Sequence, residues 1–238
     1  MFKTIIISDL HLGIPDAQPY KLLSFLKKNP CNTLIINWDL VDEKYIRLLW
    51  TWKEEYTYII DQLKDICKKN HTKIVFIQGN HELIPHKKSA FKDFDMQKDM
   101  IYLSNKKKYY IFHGHQLDKL NQKTGLIAHI AFYVGTFIYT LNRTNNRIRA
   151  KLWLKKKSLI TWLKHFRKQF LFGKNTFYKK IYDKAIEKKC DGIICAHFHE
   201  AENRSIGNIH YLNSGERIEN CSAVVENEKS IWKIVYPK

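Results

Sequence analysis

The chain has 238 residues, of which 45% are hydrophobic and 27% charged, and it carries a formal net charge of +18. These proportions exclude a disordered or fibrous chain and fit one large globular domain, or a domain carrying an insertion. Cysteines at 31, 67, 190, 195 and 221 form no C-x-x-C pair, which argues against a disulfide framework or a thiolate zinc site and for a reducing cytosol. The first strand begins at the N-terminus, so no leader is expected ahead of it. So positive a field attracts polyanions: nucleic acid, an anionic membrane face or a phosphorylated substrate. A lysine-rich surface composition accounts for part of it.

In chain order, Lys3–Ile7 is an apolar run that reads as a buried strand, followed by Asp9-x-His11. In an extended chain, side chains two apart point the same way, so both can face one point beyond the strand end. A carboxylate and an imidazole so aimed suit a divalent metal. Tyr20–Lys28 reads as a helix stopped by Asn29-Pro30. Thr33–Asn37 is a short buried strand that delivers Asp39, with Asp42 three residues on. Asp42 itself reads as a loop or helix-cap residue. Residues 43–69 place Leu49, Trp52, Tyr56, Ile59, Ile60, Leu63, Ile66 and Cys67 at helical spacing. Lys73–Ile77 is a third strand, ending in Gly79-Asn80-His81-Glu82. Residues 100–103 and 109–112 are further strands, the latter entering His113-Gly114-His115.

Residues 119–189 break this rhythm. Leu126–Leu141 is nearly all apolar, but its 16 residues fall short of the roughly 20 needed to cross a bilayer. It reads as a buried or interfacial helix. Arg143–Lys180 mixes Lys and Arg with large apolar residues such as Trp153, Trp162 and Phe166. That pattern suits a membrane surface or an amphiphilic ligand, and equally an ordinary helical cap. His115, His129, His165 and the Lys155–Lys157 run carry no assigned role. Asn175–Lys189 is a final amphipathic helix. Gly192–Cys195 is a strand ending in Ala196-His197-Phe198-His199. Ile209–Leu212, Ala223–Val225 and Ile231–Val235 read as antiparallel strands closing a second sheet.

Strands alternating with helices indicate α/β layering, in which ligands gather beyond the carboxyl ends of strands. Asp9, His11, Asp39, Asn80, His113, His197 and His199 all stand at such ends. Their oxygen and nitrogen donors favour Mn, Fe or Zn over a soft-metal site. Seven donors exceed one tetrahedral ion and suit two ions sharing a bridging carboxylate.

The run DLH, WDLVD, GNHE, HGH and AHFH over residues 9–199 resembles the calcineurin-like metallophosphoesterase superfamily. HGHQLD, the basic insertion, AHFHEAE and YLNSGERIENCSAVVE narrow the resemblance to the UDP-2,3-diacylglucosamine diphosphatase family. The resemblance implies a single domain over 1–238 with a four-layer α/β/β/α sandwich and a helical insertion, or lid, at approximately 119–174. It implies one metal held by Asp9, His11, Asp39 and His199, and another held by Asp39, Asn80, His113 and His197, with Asp39 bridging. His81 would stabilise the transition state or protonate the leaving group, and Asn80 and His81 would also contact substrate. The implied cofactors are two divalent ions, typically manganese. The implied reaction is hydrolysis of UDP-2,3-diacylglucosamine to UMP and 2,3-diacylglucosamine 1-phosphate, a step of lipid A biosynthesis. The protein would then be cytoplasmic, peripheral on the inner face of the cell membrane, with a nucleotide-linked lipid as substrate and an anionic membrane surface as partner. The insertion would hold acyl chains.

Four positions depart from the family pattern. Trp38 stands where Gly precedes the bridging Asp, Ala196 replaces the Gly of G-H-x-H, His115 replaces an Asp of the narrower family, and Glu82 is within the superfamily's range. Trp38 must point into the sheet layers, into solvent or over the metals, and the expectation is that it crowds the site. Two other readings remain: a phosphodiesterase or phosphatase acting on another substrate, and a nucleic-acid binder or nuclease. The second is less favoured, since the basic residues concentrate in one apolar-rich segment. A third, a catalytically dead membrane module, has only Trp38 in its favour.

Overall fold

The computed structural model describes residues 1–14, 17–42, 53–78, 91, 94–117, 141, 144–146, 148–149, 151–152, 174–216 and 221–237. They divide into two compact units, 1–114 with 181–238, and 115–180. Within the second unit are a 3-10 turn, His115–Leu117, and short helical stretches between 141 and 151. There Lys180 Nζ donates to the Leu117 carbonyl at 2.9 Å. The stretch 126–140, Trp153, Trp162, Phe166, His129, His165, the Lys155–Lys157 run and most of the expected lid lie outside the described residues. None of the described helices is long and apolar enough to cross a membrane.

The first unit is built on two sheets. In the first, β1 (Phe2–Ile7), β2 (Cys31–Asn37), β3 (Lys73–Ile77) and β4 (Asp95–Gln97) run parallel. The second sheet contains β5 (Met100–Ser104), β6 (Lys107–Ile111), β7 (Gly192–Cys195), β8 (Glu202–Ile206) and β9 (Ile209–Asn213), in the order β5-β6-β7-β9-β8. β10 (Ala223–Asn227) and β11 (Trp232–Val235) return to the first sheet, where β10 lies antiparallel beside β1. The expectation that all three tail segments close the second sheet is therefore corrected: only β9 does. The reason is length. The nine-residue connection 214–222 lets the chain cross between the sheets, and alternation within a strand does not say which sheet it joins.

The central strands are buried on both faces, which is why they read as unbroken apolar runs. Ile6, Ile35, Val75 and Ile77 of the first sheet meet Tyr109, Ile111, Ile194 and Leu212 of the second in one apolar cluster. Each fully buried Ile or Leu contributes roughly 1.5–3 kcal/mol. The opposite face of the first sheet, with Ile5, Ile7, Leu34, Ile36 and Phe76, is covered by two helices. These are α1 (Pro19–Lys28), with Pro at its start, and α2 (Glu54–Lys69). α2 buries Tyr56, Ile59, Ile60, Leu63, Ile66 and Cys67, one stripe at helical spacing. Glu54 and Glu55 in its first turn and Lys68 and Lys69 in its last complement the helix dipole. On the outer side of the second sheet, the helix α3 (Lys174–Glu187) buries Ile181 and Ala185. Lys188, just after it, sits 4.9 Å from the Tyr110 ring. The result is the expected α/β/β/α layering.

The layers are also joined by polar side chains. Glu226 of β10 is fully buried and accepts hydrogen bonds from Tyr102 (2.6 Å) and Ser104 (2.5 Å) of β5. A buried carboxyl with both oxygens bonded is the arrangement that makes such burial tolerable. The polar edge strands β4 and β8 have no apolar run to announce them in the sequence, as suits strands at sheet edges.

Candidate metal centre

Four loops meet at the carboxyl ends of β1, β2, β6 and β7. The loops after β1 and β2 are zipped together by backbone bonds: Asp9 N–H to the Trp38 carbonyl (3.0 Å), His11 N–H to that of Asp39 (2.8 Å) and Leu12 N–H to that of Leu40 (2.9 Å). On the second sheet, Ala196 N–H donates to the His113 carbonyl at 2.8 Å. The two sheets are stitched at this end by three contacts. Asn37 Nδ2 donates to the Phe112 carbonyl at 3.1 Å, the Ser8 and Ser214 hydroxyls pair at 2.7 Å, and His197 N–H reaches Asp9 Oδ2 at 3.4 Å.

Asp9, His11, Trp38, Asp39, His197 and His199 all have φ between +49° and +71°. Non-glycine residues seldom adopt this left-handed region, and concentrations of it mark functional loops. It also revises the reason Asp9 and His11 converge. β1 ends at Ile7, so extended alternation does not bring the two together. Left-handed turns do, leaving His11 Nε2 3.7 Å from Asp9 Oδ1.

Among the described residues, two groups of donor atoms lie within 4.8 Å of one another: Asp9, His11 and His199, and Asp9, Asp39 and His113. All but His199 are buried. Asp9 belongs to both groups. Asp39 stands between two imidazoles, its Oδ2 3.9 Å from His11 Nε2 and 3.6 Å from His113 Nε2. His197 joins neither group; it lies ring to ring with His113 at 5.0 Å. Asn80, His81 and Glu82 lie outside the described residues.

The chemistry of these residues fits a divalent cation. Asp9 Oδ1 is buried and lies 3.1 Å from His199 Nε2, yet the two are not aligned as a hydrogen bond. Two donor atoms that close, facing past one another, are arranged as ligands of a common centre are. Burial works to raise the Asp9 carboxyl, but the charge of the adjacent His199, the close approach of His11 and the charge of His113 hold it well below the usual carboxylate range. For His11, burial works downward, while its bond to Asp42, the nearby Asp9 carboxylate and the charges of Asp39 and Asp42 hold the imidazole well above its ordinary value. The Asp9 carboxylate thus remains anionic, as a ligand must be, while His11 would release its second proton as a cation bound.

Asp42 is the residue that sequence reasoning missed. It is buried, and its Oδ2 lies 3.2 Å from His11 Nδ1. A carboxylate accepts only, so His11 donates from Nδ1 and aims Nε2 at the cluster, where its lone pair would meet a bound cation. The spacing D-x-x-D was the available pointer. Trp38 is 2% exposed. Its indole lies in the apolar cluster under α1 and α2, between Phe76 (6.1 Å) and His113 (5.9 Å).

The model of the calcineurin-like phosphoesterase family matches residues 2–201. No curated protein is similar enough in sequence to match. An archaeal phosphodiesterase of solved structure aligns over 98% of both chains at 14% identity, with a TM-score of 0.50. Vps29 of Entamoeba histolytica, complexed with zinc, aligns over 99% of both chains at 12% identity and a TM-score of 0.45. A predicted phosphoesterase of Streptococcus pneumoniae covers 98% of this chain and 96% of its own at 12% identity and a TM-score of 0.42. The family model spans the strands and loops that carry the two donor groups, and the chain belongs to the calcineurin-like phosphoesterase family.

Proposed function

We propose that the protein is a divalent-metal-dependent hydrolase that cleaves the pyrophosphate linkage of UDP-2,3-diacylglucosamine, releasing UMP and 2,3-diacylglucosamine 1-phosphate. The observation that carries the hydrolase reading is the pair of donor groups sharing Asp9. The substrate rests on the sequence resemblance: HGHQLD, AHFHEAE and YLNSGERIENCSAVVE, with a basic, apolar segment between the first two. The net charge of +18 suits a doubly phosphorylated lipid at an anionic membrane face. On this reading the protein works peripherally at the inner face of the membrane.

On the family pattern Asp9, His11, Asp39 and His199 would hold one ion and Asp39, Asn80, His113 and His197 the other, with Asp39 bridging, while the carboxylate common to both donor groups is that of Asp9. Bound divalent ions, of which manganese is the family's usual choice, would supply an acidified water and polarise the phosphoryl oxygens. The protein's own share is orientation and charge. Asp42 holds the His11 ring. The His197 N–H holds Asp9 by its second oxygen. Asp39 is placed to face both imidazoles. His81 is assigned the proton that the leaving phosphate needs, or the charge that develops on the attacked phosphoryl group.

The test is UMP release from UDP-2,3-diacylglucosamine in mixed micelles with added Mn²⁺, beside an Asp39→Ala control. Turnover that needs the metal and is lost in the control supports the whole reading. Cleavage of bis-p-nitrophenyl phosphate without UMP release would keep the metal-dependent hydrolase and discard the lipid substrate.

A further inference from the structure

The second donor group is assembled across the boundary between the two sheets. Asp39 follows β2 of the first sheet, and His113 follows β6 of the second. Their relative position therefore depends on what locks the sheets together at that end. Two consecutive residues, just ahead of Asp39, reach across. Asn37, the last residue of β2, is fully buried and donates to the carbonyl of Phe112, the residue before His113. Trp38 lays its indole against the His113 ring, centroids 5.9 Å apart and planes inclined by 48°.

Both residues hold this arrangement against local cost. Asn37 Oδ1 and Trp38 Nε1 are buried and meet no hydrogen-bond partner among the described residues, which a core position filled by an apolar side chain would avoid. Trp38 has φ of +71°, a region that a bulky residue rarely adopts. An unmet amide oxygen, an unmet indole N–H and a left-handed Trp on two adjacent residues are hard to explain as packing alone. Such features persist where the surrounding structure demands one geometry. Here the geometry they share is the approach of His113 to Asp39, 3.6 Å between Nε2 and Oδ2.

We infer that Asn37 and Trp38 are positioning residues: Asn37 fixes the backbone entering His113, Trp38 fixes its ring, and together they set the second donor group against the first. The inference rests on the metal-dependent reading proposed above. Neither residue touches the reacting atoms. Trp38 in place of a glycine is then an adaptation that braces His113 and does not obstruct the site.

The experiment is calorimetric titration of the metal-stripped protein with Mn²⁺, beside thermal unfolding in chelator, for the wild type and for Asn37→Leu, Trp38→Leu and Trp38→Phe. Two equivalents are expected to bind the wild type. In Asn37→Leu and Trp38→Leu one equivalent should weaken by about tenfold or more, the size seen when outer partners of a metal ligand are removed, while the other keeps its affinity. Trp38→Phe, which keeps an aromatic ring against His113, should restore most of the loss. Changes in unfolding temperature with both equivalents unaltered would overturn the inference and leave a purely structural role. A wild type that takes up no metal would overturn the metal reading first, and is recognisable from its own curve. Should Asn37→Leu not fold, the comparison of Leu with Phe at position 38 decides.

Discussion

Removing Asp42 tests whether the candidate site is an organised metal centre or merely a buried cluster of polar groups. Asp42 and His11 are both 4% exposed, and Oδ2 lies 3.2 Å from Nδ1. Two effects of Asp42→Ala oppose one another. The carboxylate helps hold the proton on His11, so its loss frees the ring more easily and by itself would assist a metal. Its loss also lets the ring rotate, so Nε2 faces Asp9 only part of the time. The second effect should win, because outer partners of metal-bound histidines typically contribute 10–100-fold in affinity, about 1.4–2.7 kcal/mol. Asp42→Asn retains an acceptor for Nδ1–H and should lie near the lower end of that range. The assay is competition for Mn²⁺ against a chelator of known affinity, with circular dichroism to verify the fold. An Asp42→Ala protein that folds and binds Mn²⁺ as tightly as the wild type would refute the assignment of His11 as an oriented ligand.

Three further outcomes are expected. A Cβ at Gly192 would stand 2.5 Å from two ring atoms of Tyr109 and 2.9 Å from the His210 carbonyl oxygen, so Gly192→Ala should cost about 1–3 kcal/mol by overpacking, visible as a lowered unfolding temperature; an unchanged temperature would contradict the tight approach of β6, β7 and β9. Burial and the bond to Glu226 push the Tyr102 hydroxyl up to about 12; because the folded value is raised, its stabilisation is complete below about pH 10 and fades as pH rises toward about 12. Urea unfolding should therefore lose stability over that window more steeply in the wild type than in Tyr102→Phe, and equal slopes would count against the bond between the sheets. Burial pushes the Cys31 thiol up to about 11 and the Cys67 thiol up to about 12. At about pH 8 iodoacetamide should leave both unmodified in the folded protein and label both in denaturant, and peptide mass spectrometry reading early labelling of either would show that α1 and α2 do not seal that core.

The sequence by itself determined the layering and most of the donor set. Short β-branched apolar runs such as Ile5–Ile7 and Ile193–Ile194 read as strands buried on both faces, and the stripe from Tyr56 to Cys67 as an amphipathic helix, because length, period and residue type are local properties of the chain. Asp9, His11, Asp39, His113 and His199, the members of the two donor groups, were legible for the same reason: each follows closely on such a run. Tertiary structure alone decided what depends on distant residues meeting. The polar strands β4 and β8 form because neighbours offer them an edge, and β10 and β11 return to the first sheet because a connecting loop is long enough to cross. Asp42 became the partner of His11, and Trp38 the neighbour of His113, through contacts 31 residues apart in one case and between different sheets in the other. The convergence of Asp9 with His11 itself came from left-handed backbone, not from strand alternation. Side-chain direction at a strand's end is set by the loop beyond it, and that loop takes its shape from the other loops it hydrogen-bonds.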